Sequence, residues 1–145
     1  MGNYDFKKDL AISDAENPEV IEKIKKLFVD ITDILTHKIK EYDISGTYKN
    51  KNSTFEVKND KMSSIMGNVG IEFHSWGKPS GIATTTAKYW IQKVCGEYYI
   101  IRTEKLRNMI VNREYFRIVT GGDSGSYTQM YLFRKEKFIS NCKKM

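Results

Sequence analysis

The chain has 145 residues, 40% of them apolar and 29% charged, with 24 Lys and Arg against 18 Asp and Glu for a net charge of +6. That is one domain's length, long enough to bury a single sizeable core, and no apolar run approaches the roughly 18 residues a membrane span needs. Two histidines (His37, His74) and two distant cysteines (Cys95, Cys142) argue against a zinc site and a disulfide framework, while the positive surplus admits a polyanionic partner such as nucleic acid without requiring one.

The opening "MGNYDFKKDLAISDAEN" has no apolar h-region and carries acids early, so a cytosolic location is expected. Gly2 would suggest myristoylation, but Phe6 stands where Ser or Thr is wanted. Asn17 and Pro18 then start a helix as N-cap and first helical residue, and Val20, Ile21, Ile24, Leu27, Phe28 and Ile31 follow at helical spacing. "VDITDILTHKIK" continues that helix or turns toward a strand.

"EYDISGTY" reads as a strand, "KNKN" as a polar turn and "STFEVKN" as the returning strand of an antiparallel hairpin. "GNVGIEF" is a third strand, with Val69, Ile71 and Phe73 on one face and Gly70, Glu72 and His74 on the other. "HSWGKPSG" is a turn. "ATTTAKYWIQKV" is expected to be a short helix, "EYYIIRT" a strand apolar on both faces, and "EKLRNMIVN" another helix. "YFRIVTGG" and "TQMYLFRKEKF" are strand-like and flank the glycine-rich loop "GGDSGS", which lacks the lysine and spacing of a P-loop. The expected architecture is one mixed α+β domain over residues 1–145, a central sheet of about four to six strands with a helix on each side.

The hairpin carries the chemistry. Phe55 and Val57 face one way, and Thr54, Glu56 and Lys58 the other. A turn near Lys49 to Lys51 sets Asp43 opposite the segment from Glu56 to Lys58, and cross-strand Cβ atoms lie roughly 4.5–5.5 Å apart. Two carboxylates at that distance suit one Mg²⁺ or Mn²⁺, with water and substrate phosphate completing its shell. Lys58 beside them would stabilise charge at phosphorus. The bland reading is a surface hairpin with a cross-strand ion pair.

The text "YDI…FEVK", with the longer "GKPSGI…TTAKYW" and the order of elements from Asp9 to Phe138, resembles the PD-(D/E)XK nuclease superfamily, in particular small nuclease-like proteins of phages and DNA viruses. The resemblance implies a restriction-endonuclease-like fold. It implies Asp43, Glu56 and Lys58 as catalytic residues and a metal set of Asp43, Glu56 and Val57 joined by a first-helix glutamate. Glu16, Glu19 and Glu22 compete for that place, with Glu19 favoured. The residue before Asp43 is Tyr42, where the family pattern has Pro.

Several residues are candidates for contact with DNA. Lys78 and Ser80 sit on the "WGKPSG" loop, and Thr84, Thr85 and Lys88 near the expected helix start, where backbone N–H groups favour anions. Arg102, Lys105, Arg107, Arg113 and Arg117 are a solvated face by default, with some available to track phosphates. Glu72 faces either the site or solvent. A Mg²⁺-dependent endodeoxyribonuclease is the expected function, with a homodimer to cut both strands. The alternative is a nuclease-fold protein that no longer cuts and serves as a nucleic-acid-binding or anti-defence factor.

Overall fold

The computed structural model describes residues 18–59, 67–121 and 127–145. Residues 18–27 are helical (α1), and Val20, Ile24 and Phe28 bury one side while Glu19, Glu22, Lys25 and Lys26 stay exposed. Asn17 and Glu16 lie outside the described residues, as does most of the "GGDSGS" loop. The ambiguous stretch after α1 resolves as an edge strand, β1 (Thr32–Thr36).

Next come β2 (Ile44–Tyr48) and β3 (Lys51–Asn59), an antiparallel hairpin turned by Lys49 and Asn50. Both turn residues have positive φ, 52° and 62°, the backbone of a type I′ turn that matches the twist of the flanking strands. After β3 the chain leaves the sheet. It builds β4 (Asn68–Ser75), β5 (Lys78–Pro79) and a 3₁₀ turn (Gly81–Ala83). It then returns as β6 (Tyr89–Val94), parallel to β3, and folds back through β7 (Glu97–Arg102). Helix α2 (Thr103–Val111), β8 (Arg117–Gly121), β9 (Thr128–Arg134), helix α3 (Lys135–Ser140) and β10 (Lys143–Lys144) complete it. Among the described residues the strands form two sheets: six in the order β1-β2-β3-β6-β7-β10, and four in the order β5-β4-β9-β8.

The mixed α+β class and a mixed six-stranded sheet match the sequence reading. Three expectations change. Residues 83–94 hold a 3₁₀ turn and a strand in place of a helix. The run Trp90, Ile91, Gln92 is continuously buried because β6 is covered on both faces, and such a run carries no period that separates strand from helix. The third strand of the sequence belongs to a second sheet, so a sheet and α2 together cover the side where a helix alone was expected. The end of the "TQMYLFRKEKF" segment is helix α3, which turns Phe138 into the core.

Burial divides the core in two. On one face of the large sheet Ile44, Phe55, Ile91, Tyr98 and Ile100 pack against Val20, Ile24 and Phe28 of α1 and its end. Phe28 meets Phe55 edge-on at 5.4 Å and Tyr89 at 5.1 Å. On the other face Trp90, Val94 and Ile101 pack against Val69, Ile71 and Phe133 of the second sheet, with Leu106, Met109 and Phe138 closing the cluster. Strand β3 is therefore buried on both sides, and Glu56 points into a covered layer. Phe28→Ala is expected to lower unfolding stability by about 3–5 kcal/mol, through lost transfer energy and a cavity. Urea denaturation would show this as a lower midpoint at unchanged slope.

Candidate active site

The register of the hairpin positions the acids. Ile44 pairs with Phe55, both in the α1 core, so the next pair outward, Asp43 and Glu56, shares the opposite face. Asp43 donates its N–H to the Phe55 carbonyl at 2.9 Å. Just before β2 begins, its side chain replaces the ladder, with Oδ2 accepting the Val57 N–H at 2.8 Å. Lys58 Nζ sits 3.2 Å from Glu56 Oε2 and 5.9 Å from the centre of the Trp90 ring. The side chain of Lys58 is 35% exposed and that of Glu56 only 7%, so the lysine reaches water far more than the glutamate.

A loop from the second layer closes over this cluster. Thr85 is buried; its Oγ1 donates to the Glu41 carbonyl at 2.8 Å and accepts the Ala87 N–H at 3.1 Å. Thr86 N–H also bonds the Glu41 carbonyl, at 2.9 Å. Arg107 Nη2 bonds the carbonyls of Ile82 (2.9 Å) and Thr85 (2.6 Å), pinning the loop to α2. The Thr85 hydroxyl has one proton and two claimants, the Glu41 carbonyl and the Glu56 carboxylate. The carbonyl takes it, and Glu56 Oε1 is left buried without a partner among the described residues.

Burial pushes Glu56 up to about 7, the charge of Asp43 adding to it and Lys58 opposing. Asp43 is raised as well: burial outweighs the Val57 N–H and the charge of Lys58. The consequence for stability has a definite sign. Between the ordinary value of 4.5 and about 7 the native state holds a proton that the unfolded chain has released. The metal-free fold is therefore expected to lose stability as pH rises through that window, by something on the order of 3 kcal/mol from Glu56. Denaturation midpoints across the window would check it; a rise with pH would contradict it.

The other sequence candidates are placed as follows. Glu19 is exposed on α1, which packs against the Phe55 face, away from Glu56 and Lys58. Glu22 is exposed and pairs with Lys25 at 3.6 Å. Glu72 lies on the face of β4 turned from the core, and the charges that weigh on Glu56 are those of Lys58 and Asp43. Lys78 is exposed on β5, and Ser80 is half-buried with its hydroxyl unpartnered. Thr84 Oγ1 bonds the Gly81 carbonyl at 3.3 Å. The helix start on which the expectation for Thr84 and Thr85 rested is a 3₁₀ turn followed by a strand, and Thr85 turns inward toward Glu56. Lys88 is exposed over the Tyr89 ring.

Sequence reasoning missed His37 and Arg107 as neighbours of this site. His37 Nε2 hydrogen-bonds Ser45 Oγ at 2.8 Å, and its main-chain N–H bonds the Asp43 carbonyl at 2.7 Å. Arg107 acts on carbonyls 25 and 22 residues away, and the His37 bonds span the irregular stretch between β1 and β2, so no periodic pattern announces either. Among the described residues no three His, Cys, Asp or Glu side chains gather as a metal-binding group. Two carboxylates, one with an orphaned oxygen, fit Mg²⁺, which takes one or two protein carboxylates with water and phosphate, and do not fit a closed zinc cage. No helix among the described residues is long and apolar enough to cross a membrane. No protein-family model matches the chain, and no curated protein matches it.

Proposed function

We propose that the protein hydrolyses DNA phosphodiester bonds with the help of Mg²⁺ or Mn²⁺, as an endonuclease of the PD-(D/E)XK type. The observation that carries this reading is the shared face of Asp43, Glu56 and Lys58, where a buried carboxylate has an oxygen without a partner. A buried carboxylate oxygen lacking a partner is costly, and a divalent ion would satisfy it. The succession of a helix, three antiparallel strands and a strand parallel to β3 supports the restriction-endonuclease-like comparison, although the crossover to β6 runs through a second sheet.

Asp43 and Glu56, with the main chain of Val57, would hold the ion. Bound there, it would supply positive charge to the attacking water and the phosphoryl oxygens. Asp43 keeps its position through the Val57 N–H, so the two acids stay in register as substrate enters. Lys58 reaches solvent and meets the negative charge that grows on the phosphoryl group. Trp90, the β6 partner of Glu56, and Thr85 are both buried beside it. A homodimer would bring two such sites to the two strands of a duplex.

Incubation of supercoiled plasmid with the protein and Mg²⁺ or Mn²⁺ tests the reading. Asp43→Asn and Lys58→Ala are each expected to slow nicking by about 10²-fold or more, with unfolding midpoints measured alongside. Cutting that survives both substitutions would remove this site from the chemistry. The second reading is a binding protein of the same fold. The Lys58–Glu56 ion pair, at 3.2 Å, favours it by giving both charges a structural use. Tight binding without cutting by the wild type would select it.

A further inference from the structure

We propose that the cavity at the start of α2 is a subsite for a backbone phosphate of the nucleic acid, an assignment that rests on the nuclease reading above. The cavity has a volume of about 220 Å³ and is lined by Ala87, Lys88, Arg102, Thr103, Glu104 and Arg107. Among the described residues none of its three cations forms an ion pair with an acid. Arg107 is held in place by the Ile82 and Thr85 carbonyls, so its charge is fixed at the cavity wall. Three cations against one acid, Glu104, leave the cavity wall with a positive surplus, which favours an anion there.

Two further observations point the same way. Thr103 is 2% exposed, lines the cavity, and its hydroxyl has no hydrogen-bond partner among the described residues. Thr103 also opens a nine-residue helix whose first-turn N–H groups have no partner within the helix. Its own N–H goes to the Lys88 carbonyl at 3.0 Å, which draws the helix start and Lys88 together. The acid at this cavity, Glu104, is exposed and can swing into water.

The cavity is close to the proposed chemistry. Lys88 N–H bonds Thr54 Oγ1 at 3.0 Å. Thr54 and Glu56 share a face of β3, two residues and roughly 7 Å apart along the strand. Thr85, whose carbonyl Arg107 grips, stands beside Glu56. A phosphate in the cavity would therefore belong to the stretch of strand next to the one being cut, and would position it.

Binding of a short fluorescent single-stranded oligonucleotide, read by anisotropy in EDTA, tests this without cleavage. Replacing Lys88 and Arg102 together by Ala is expected to weaken binding by about tenfold and to lower the salt slope by about 1 to 2. Replacing Lys26 and Lys51, exposed residues elsewhere, removes the same charge and is expected to change affinity less than about twofold. Thr103→Val keeps the shape, removes the hydroxyl, and is expected to weaken binding by roughly threefold or more without lowering the unfolding midpoint. Glu104→Gln is expected to tighten binding.

A Lys88/Arg102 variant that binds no worse than the Lys26/Lys51 variant would overturn the subsite, and so would unchanged affinity in Thr103→Val. Competition by inorganic phosphate as strong as by the oligonucleotide would overturn its assignment to a nucleic-acid backbone. Loss of binding here alongside cutting that persists in Asp43→Asn and Lys58→Ala would support the subsite and sink the catalytic reading alone.

Discussion

Glu56→Gln is expected to make the metal-free protein more stable at about pH 8, by roughly 1–3 kcal/mol, while abolishing metal-dependent cutting. The carboxylate is buried, its Oε1 has no partner, and burial has already pushed it up to about 7. At pH 8 the native wild type must carry that charge; the amide of the variant need not. Lys58 loses its ion pair, but it is exposed enough for water to replace the carboxylate. At about pH 5 the wild type is protonated at this position and the advantage should vanish. Addition of Mg²⁺ at about 100 times its Kd should raise wild-type stability by about 2.7 kcal/mol and leave the variant unmoved. Denaturant melts at the two pH values, with and without metal, give all four numbers. A variant less stable than wild type at pH 8 would mean that the ion pair with Lys58 outweighs the burial of Glu56, and that the site is structural.

Gly81→Ala is the second large effect, and it acts through the loop that closes the site. Gly81 has φ of 53°, and a Cβ there would collide with the carbonyl oxygen of Glu72 on β4. Gly77, at the tip of the β4–β5 turn, also has positive φ, 76°, but a Cβ there meets nothing. The two substitutions share the conformational cost, about 1 kcal/mol. Only Gly81→Ala must also push the 3₁₀ turn off β4, so it is expected to cost roughly 2–4 kcal/mol. The displacement would carry Thr85 and the Arg107 clamp away from Glu56, so nicking should fall with stability. Gly77→Ala should lose little of either. Equal costs for the two would show that the loop yields and that Glu72 does not hold it.

Local periodicity was enough to read α1, the β2–β3 hairpin and the facing of Asp43 and Glu56. A period of 3.6 in Val20, Ile24 and Phe28, and a period of 2 in Phe55 to Lys58, are properties of neighbouring residues. Alternation along the strands set Asp43 on one face of the first strand and Glu56 and Lys58 on one face of the second, and the polar turn set Asp43 opposite the segment from Glu56 to Lys58; the two-residue turn at Lys49 and Asn50, which leaves a single register, came from the structure. Contacts between distant residues escaped it. Strand β6 reads as a helix because it is buried on both sides; β4 cannot declare which sheet it joins; Thr85 looks like a surface hydroxyl until Arg107 and Glu41 fix its loop. Only the tertiary structure decided that Glu56 is sealed under a second layer, that Glu19 stays on the far side, and that Lys88, Arg102 and Arg107 meet around one cavity. The physical reason is that burial, and with it the cost of each charge, depends on which segments pack together, and packing between distant segments has no period in the chain.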